Sequence, residues 1–164
     1  MNLKFIGVEP DPQRARDIID ALVSVGISYE IVPGVTAASG ASAALGGFLT
    51  QRGACDTLVL TTGQTARPNQ APNWLATLRP GTRVAIYMGL GVAGDIARAV
   101  MDTGHAKHIQ IDIVANAQAR DEIIASCTPD RLVSTLAAHG ISNPAILFLT
   151  WPAFADGSVR AAAR

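Results

Sequence analysis

An α/β layered fold is the class this sequence predicts. Strand-like and helix-like runs alternate along the chain. Gly and Pro fall at the joins between those runs. Apolar residues make up 49% of the 164 residues and charged residues 16%, enough apolar material for a buried core and too much for a disordered chain. The 13 basic and 13 acidic residues cancel, so no basic excess points to nucleic acid or an anionic membrane surface. No apolar run approaches the length of a membrane span. Met1-Asn2-Leu3-Lys4 leads into a strand-like run and lacks a signal peptide's apolar region, so a cytoplasmic chain is expected. Cys55 and Cys127 lie far apart without a CxxC pair, which argues against a disulfide framework or a zinc site.

The elements follow in order. Leu3 to Gly7 reads as a short buried strand. Ala15, Ile18, Ile19, Leu22 and Val25 then mark one face of a helix over 11–25, closed by Gly26. Tyr29 to Val32 is a strand ended by Pro33-Gly34, and Val35 to Leu45 is a helix of small residues. Asp56 to Thr62 is the clearest strand, followed by a polar loop to Pro72 and a short helix over Asn73 to Leu78. Arg83 to Tyr87 is a strand and Gly91 to Thr103 a helix. Ile109 to Val114 and Glu122 to Cys127 are strands flanking a loop. Pro129 to His139 is a helix with Pro in its first turn, and Pro144 to Thr150 a buried strand. The Ala- and Arg-rich tail after Trp151 is expected to fray. Charged helix gives way to small residues near Pro33-Gly34, which is where a domain seam is expected.

Two turns have the form of ligand sites. Val32-Pro33-Gly34-Val35-Thr36-Ala37-Ala38 is a strand end opening a helix, whose free N–H groups suit an anion or polar edge. Routine helix capping by Thr36 explains the same pattern. Tyr87-Met88-Gly89-Leu90-Gly91 is again strand, glycines, helix, at the end of a strand where α/β sheets bind ligands. Its glycines do not match GxGxxG, and a lone Met there is more often core than ligand contact. Arg52 suits a carboxylate, or is a surface arginine. His105 and His108 lack a convincing third metal ligand and sit where a helix end favours cations.

In order and spacing, YEIVPGVTAASGASAALGGFLTQRG, LVLTTGQ and VAIYMGL resemble the uroporphyrinogen-III C-methyltransferase branch of the tetrapyrrole methylases. NPAILFL is similar to that family's last core strand, and the match covers most of Gly26 to Leu149. The resemblance implies a mixed sheet flanked by helices and a cleft for S-adenosylmethionine between two α/β domains. It implies methyl transfer to uroporphyrinogen III on the sirohaem and cobalamin route, and a homodimer. Thr36 and Ala37 correspond to the family's cofactor-contacting Thr-Ala pair, and Met88, with Gly89 behind it, to the methionine packed by the cofactor. By ungapped alignment Ala117-Gln118 stand where a Gly-Thr closes over the cofactor.

The departures shape the functional expectation. The chain opens where the family's glycine-rich GGDP segment would begin, and Phe5 to Pro10 keeps only Gly7 and Pro10 of it. Gln13-Arg14-Ala15 replace a Gly-Arg-Gly, and the family's proton-transferring Asp and Lys have no counterparts, so no catalytic residue is assigned. Gln110-Ile111-Asp112 replace a Pro-x-Ala strand, and Thr150 replaces a strand-end Gly, at a cost in room for a ligand. The expectation is a truncated fold of this family: residues 1–34 as a remnant of the cofactor domain and 35–164 as the C-terminal domain. Its role would be non-catalytic, in binding S-adenosylmethionine or a tetrapyrrole or in dimeric assembly. The alternatives are an active methyltransferase completed by a partner chain and a fragment with no selected function.

Overall fold

The computed structural model describes residues 3–6, 12–32, 34–63 and 73–153. The chain divides into two compact units, Met1–Thr36 and Ala37–Arg164. In the first, β1 (Leu3–Ile6) and β2 (Tyr29–Val32) pair in parallel, joined by α1 (Pro12–Ser24). Parallel strands need such a crossover, because a tight turn can only reverse the chain. α1 stops at Gly26, whose φ of 70° is left-handed. The amides of Gly26 and Ile27 then donate to the carbonyls of Val23 at 3.1 Å and Leu22 at 2.9 Å, satisfying the helix end.

The second unit contains α2 (Ala37–Ala44), β3 (Thr57–Thr62), β4 (Thr82–Tyr87) and α3 (Ala93–Asp102). β5 (Gln110–Ala115), β6 (Ile123–Cys127), α4 (Leu132–Ala138) and β7 (Ala145–Trp151) complete it. Its five strands form one mixed sheet in the order β3-β4-β7-β5-β6. β3 and β4 are parallel, and β7 runs antiparallel to both β4 and β5. The carboxyl ends of β3, β4 and β5 therefore share one edge of the sheet, and β7 ends at the opposite edge.

Side chains alternate between the two faces. Val84, Ile86, Ile111, Ile113, Leu147 and Leu149 pack with Ile96 and Val100 of α3 and Leu132 of α4. Ala85, Val114, Ile146 and Phe148 pack with Ala38 and Ala41 of α2. β7 is buried on both faces, which is why PAILFL is an unbroken apolar run. Alanines in α2 let its backbone lie close to the sheet.

The elements differ from the sequence expectation mainly at their starts. α2 begins at Ala37, not Val35. The stretch from Gly91 opens as a 3₁₀ turn over Leu90–Val92, and α3 begins only at Ala93. Gly is a poor helix residue, and the 3₁₀ turn accommodates it. Pro129–Arg131 likewise forms a 3₁₀ turn before α4. The expected loop over 64–72 and the tail from 154 lie outside the described residues.

Candidate functional site

β3 runs out into Gly63, β4 into Met88-Gly89 and β5 into Asn116-Ala117-Gln118, all at one edge of the sheet. Gly63 donates its N–H to the Tyr87 carbonyl at 2.6 Å. A Cβ on Gly63 would lie 2.7 Å from the Gly89 Cα and 3.0 Å from the Met88 carbonyl oxygen. The strand ends thus touch through backbone, and only glycine fits. Met88, Asn116 and Gln118 have φ of 52°, 51° and 65°, and are the non-glycine residues with left-handed backbone among those described. Such conformations cost about 1–3 kcal/mol and persist where the surroundings enforce them. Their gathering at one sheet edge marks it as the candidate site.

The start of α2 joins the ends of β4 and β5. Ala38 donates its N–H to the Tyr87 hydroxyl at 3.1 Å. Gln118 Nε2 donates to the Gly40 carbonyl at 3.5 Å. The loop after β5 is held from within: Asn116 Nδ2 donates to Asp121 Oδ2 at 2.7 Å, and the Gln118 N–H to Glu122 Oε2 at 2.6 Å.

Four of the sequence-predicted site residues, Ala37, Met88, Gly89 and Ala117, stand on the elements that meet here. Ala37 is exposed, and Met88 and Ala117 are half-buried. Gly89 is buried, and a Cβ there would meet Leu147 Cδ1 at 2.9 Å, Ile86 Cγ2 at 3.2 Å and Ile96 Cδ1 at 3.3 Å. Its missing side chain makes room for the core. Thr36 closes the first unit, half-buried and with an interaction of its own. Sequence reasoning named Gln118 with Ala117 by alignment, but did not single out the Tyr87 phenol, the left-handed Asn116 or the carboxylates of Asp121 and Glu122. Tyr87 lay inside a quoted motif; the others carry no local signal, because none is a glycine.

Thr150 requires a correction. The sequence set it where a ligand needs room, but β7 ends at the opposite edge, and Thr150 pairs with Arg83 at the start of β4. Its Oγ1 accepts from Arg83 Nε at 3.1 Å. Arg83 is only 7% exposed; Nη1 donates to the Phe48 carbonyl, and the guanidinium carbon lies 5.8 Å from the Phe148 ring centroid. The other departures also satisfy one another: Asp112 Oδ1 accepts from Gln110 Nε2 at 2.8 Å and Ser126 Oγ at 2.7 Å.

His105 and His108 pack on Trp151, with ring centroids 5.0 and 5.8 Å away. No group of three metal-ligating side chains occurs among the described residues. Arg52 is exposed on a turn closed by the Gln51–Cys55 bridge. Both cysteines are free thiols. Burial pushes Cys55 up, opposed by the Arg83 guanidinium and aided by Asp56. Burial likewise raises Cys127, against a hydrogen bond from Thr135. No helix of the described residues is long and apolar enough to cross a membrane.

A sheet-edge site on a mixed α/β sheet defines the class, and comparison with known proteins gives the family. The pattern of the Tetrapyrrole (Corrin/Porphyrin) Methylases matches residues 13–133, and the chain belongs to that family. It is 32% identical over 136 residues to a siroheme synthase of Chromobacterium violaceum, covering 83% of this chain and 29% of that protein. A siroheme synthase of Zymomonas mobilis is also 32% identical, with 28% of its length covered. The chain thus spans less than a third of these curated relatives. Among solved structures, a cobalt precorrin-4 methyltransferase superposes with a TM-score of 0.70 at 24% identity, over 86% of this chain and 61% of that one. Uroporphyrin-III-C-methyltransferase from Thermus thermophilus superposes with a TM-score of 0.64 at 26% identity, over 84% of this chain and 57% of that one. A structure of the Thermus enzyme complexed with S-adenosylhomocysteine matches at a TM-score of 0.65 and 22% identity.

Proposed function

We propose that this chain presents one wall of an S-adenosylmethionine site and, on its own, holds the cofactor without methylating a tetrapyrrole. The observation that carries this reading is the bonding of the α2 start to the ends of β4 and β5, through Ala38 to Tyr87 and Gly40 to Gln118. That brings Ala37, Met88 and Ala117 to one edge. The residues fit the cofactor in kind. Small side chains leave the backbone of a helix start within reach, and a thioether is a soft, polarisable surface for an adenine ring and a methionine tail. When bound, the cofactor supplies an electrophilic methyl group. Asp121 and Glu122 are committed to Asn116 and Gln118, an arrangement suited to holding the loop and not to proton transfer.

Titration with S-adenosylhomocysteine tests this. We expect a dissociation constant of about 1 μM, or about −8 kcal/mol, lost in Met88→Arg, whose charged chain would occupy the edge. The same chain given S-adenosylmethionine and uroporphyrinogen III should form no methylated product. Absence of binding by a folded chain would remove the cofactor reading. Product formation would favour a second reading, an active tetrapyrrole methyltransferase. Coverage of only 29% of the siroheme synthase of Chromobacterium violaceum favours a version of that reading in which further polypeptide supplies the other wall.

A further inference from the structure

We propose that Glu122 and Asp121 are positioning residues, whose carboxylates hold Gln118 and Asn116 in left-handed backbone and so set the main chain of Ala117 between them. The inference rests on reading this sheet edge as a cofactor wall.

The segment 116–122 contains no glycine, yet it uses left-handed backbone at Asn116 and Gln118. Asn tolerates that region better than most residues, and Gln has no such advantage. Something outside the two residues must hold them. For Asn116 the N–H donates to the Pro144 carbonyl at 3.0 Å, the side-chain amide donates to Asp121 Oδ2 at 2.7 Å and to the Asp121 carbonyl at 3.5 Å, and the Asn116 carbonyl accepts from the Ala119 N–H at 2.9 Å. For Gln118 the main-chain bond is its N–H donating to Glu122 Oε2 at 2.6 Å, beside the longer 3.5 Å bond from its Nε2 to the Gly40 carbonyl. A bond to an ionised carboxylate is short and stronger than a neutral one. Both acids lie where the loop returns to β6, so each reaches back across it. With its two neighbours fixed, Ala117 has little freedom to turn its peptide planes. Orientation held before binding is where a ligand site gains affinity.

The test compares the parent chain with Glu122→Ala, Glu122→Gln and the double variant Glu122→Ala/Gln118→Gly. Three readouts are needed: S-adenosylhomocysteine affinity, hydrogen exchange at the residue 118 amide, and the thermal midpoint. In Glu122→Ala the Gln118 amide should exchange about tenfold faster or more, and affinity should fall about tenfold, as expected for loss of one charge-assisted bond. The thermal midpoint should move little. Glu122→Gln keeps an acceptor and should restore both. Gln118→Gly adopts left-handed backbone unaided and should recover affinity in the Glu122→Ala background, even where Glu122→Ala alone folds poorly. Loss of amide protection with unchanged affinity would overturn the proposal and leave a simple hairpin turn. A rapidly exchanging Gln118 amide in the parent would overturn it too. A parent chain with a protected amide and no binding at all would sink the cofactor reading, and this inference with it.

Discussion

Met88 sits in left-handed backbone between two glycines that do different jobs. On Gly63 a methyl group would run into backbone atoms, the Gly89 Cα at 2.7 Å and the Met88 oxygen at 3.0 Å. On Gly89 it would meet the ends of Leu147, Ile86 and Ile96 side chains, which can shift. Overpacking typically costs about 1–3 kcal/mol. We expect Gly63→Ala to fall at the upper end of that range and Gly89→Ala at the lower, measured by urea denaturation. Gly63→Ala should also weaken S-adenosylhomocysteine binding, because relief of the clash moves the Met88 peptide. Equal stability losses would mean that the β3–β4 approach is not a constraint. The motif TTGQ was legible in the sequence as a strand end. The role of its glycine was not, because its neighbour in space lies on the next strand.

At the level of elements, the punctuation by Gly and Pro located nearly every strand and helix, and β2 falls on the residues expected, Tyr29–Val32. Local pattern suffices there because each run is short and its ends carry their own turn chemistry. What pattern could not supply is the partner of a polar residue in the sheet. Arg83 and Thr150 are 67 positions apart, and Thr150 alone looked like a misfit. Paired across β4 and β7, they satisfy one another beside Phe148. Thr150→Val keeps the shape and removes the acceptor, stranding a buried donor at a cost of about 1–3 kcal/mol. Arg83→Met removes the donor, so adding Thr150→Val to it should cost much less than it does in the parent. A double-mutant cycle in urea should show coupling of about 0.5–3 kcal/mol. Simple additivity would show that the bond contributes nothing to the β4–β7 pairing.

For the whole molecule, two free thiols link global stability to pH. The spacing of the two cysteines argued against a disulfide framework or a zinc site, and the fold makes Cys55 a buried free thiol, 2% exposed. Burial favours the neutral form, so the thiols of Cys55 and Cys127 are raised above their ordinary value of 9.0 in the folded chain. The sign follows from proton counting. Between the ordinary and the raised value the folded state keeps protons that the unfolded state has released, so stability falls as pH rises. Below the ordinary value both states are protonated and the contribution is complete. The informative quantity is the difference between the parent and a chain without the thiols. Urea denaturation of the parent and of Cys55→Ala/Cys127→Ala should give parallel stability curves at neutral pH. Above about pH 9 the parent should lose stability faster, and Cys55→Ala and Cys127→Ala should each remove part of the extra slope. Parallel curves throughout would mean that water reaches both sulfurs in the native chain, and that the packing of Cys55 beside Arg83 is looser than the structure shows.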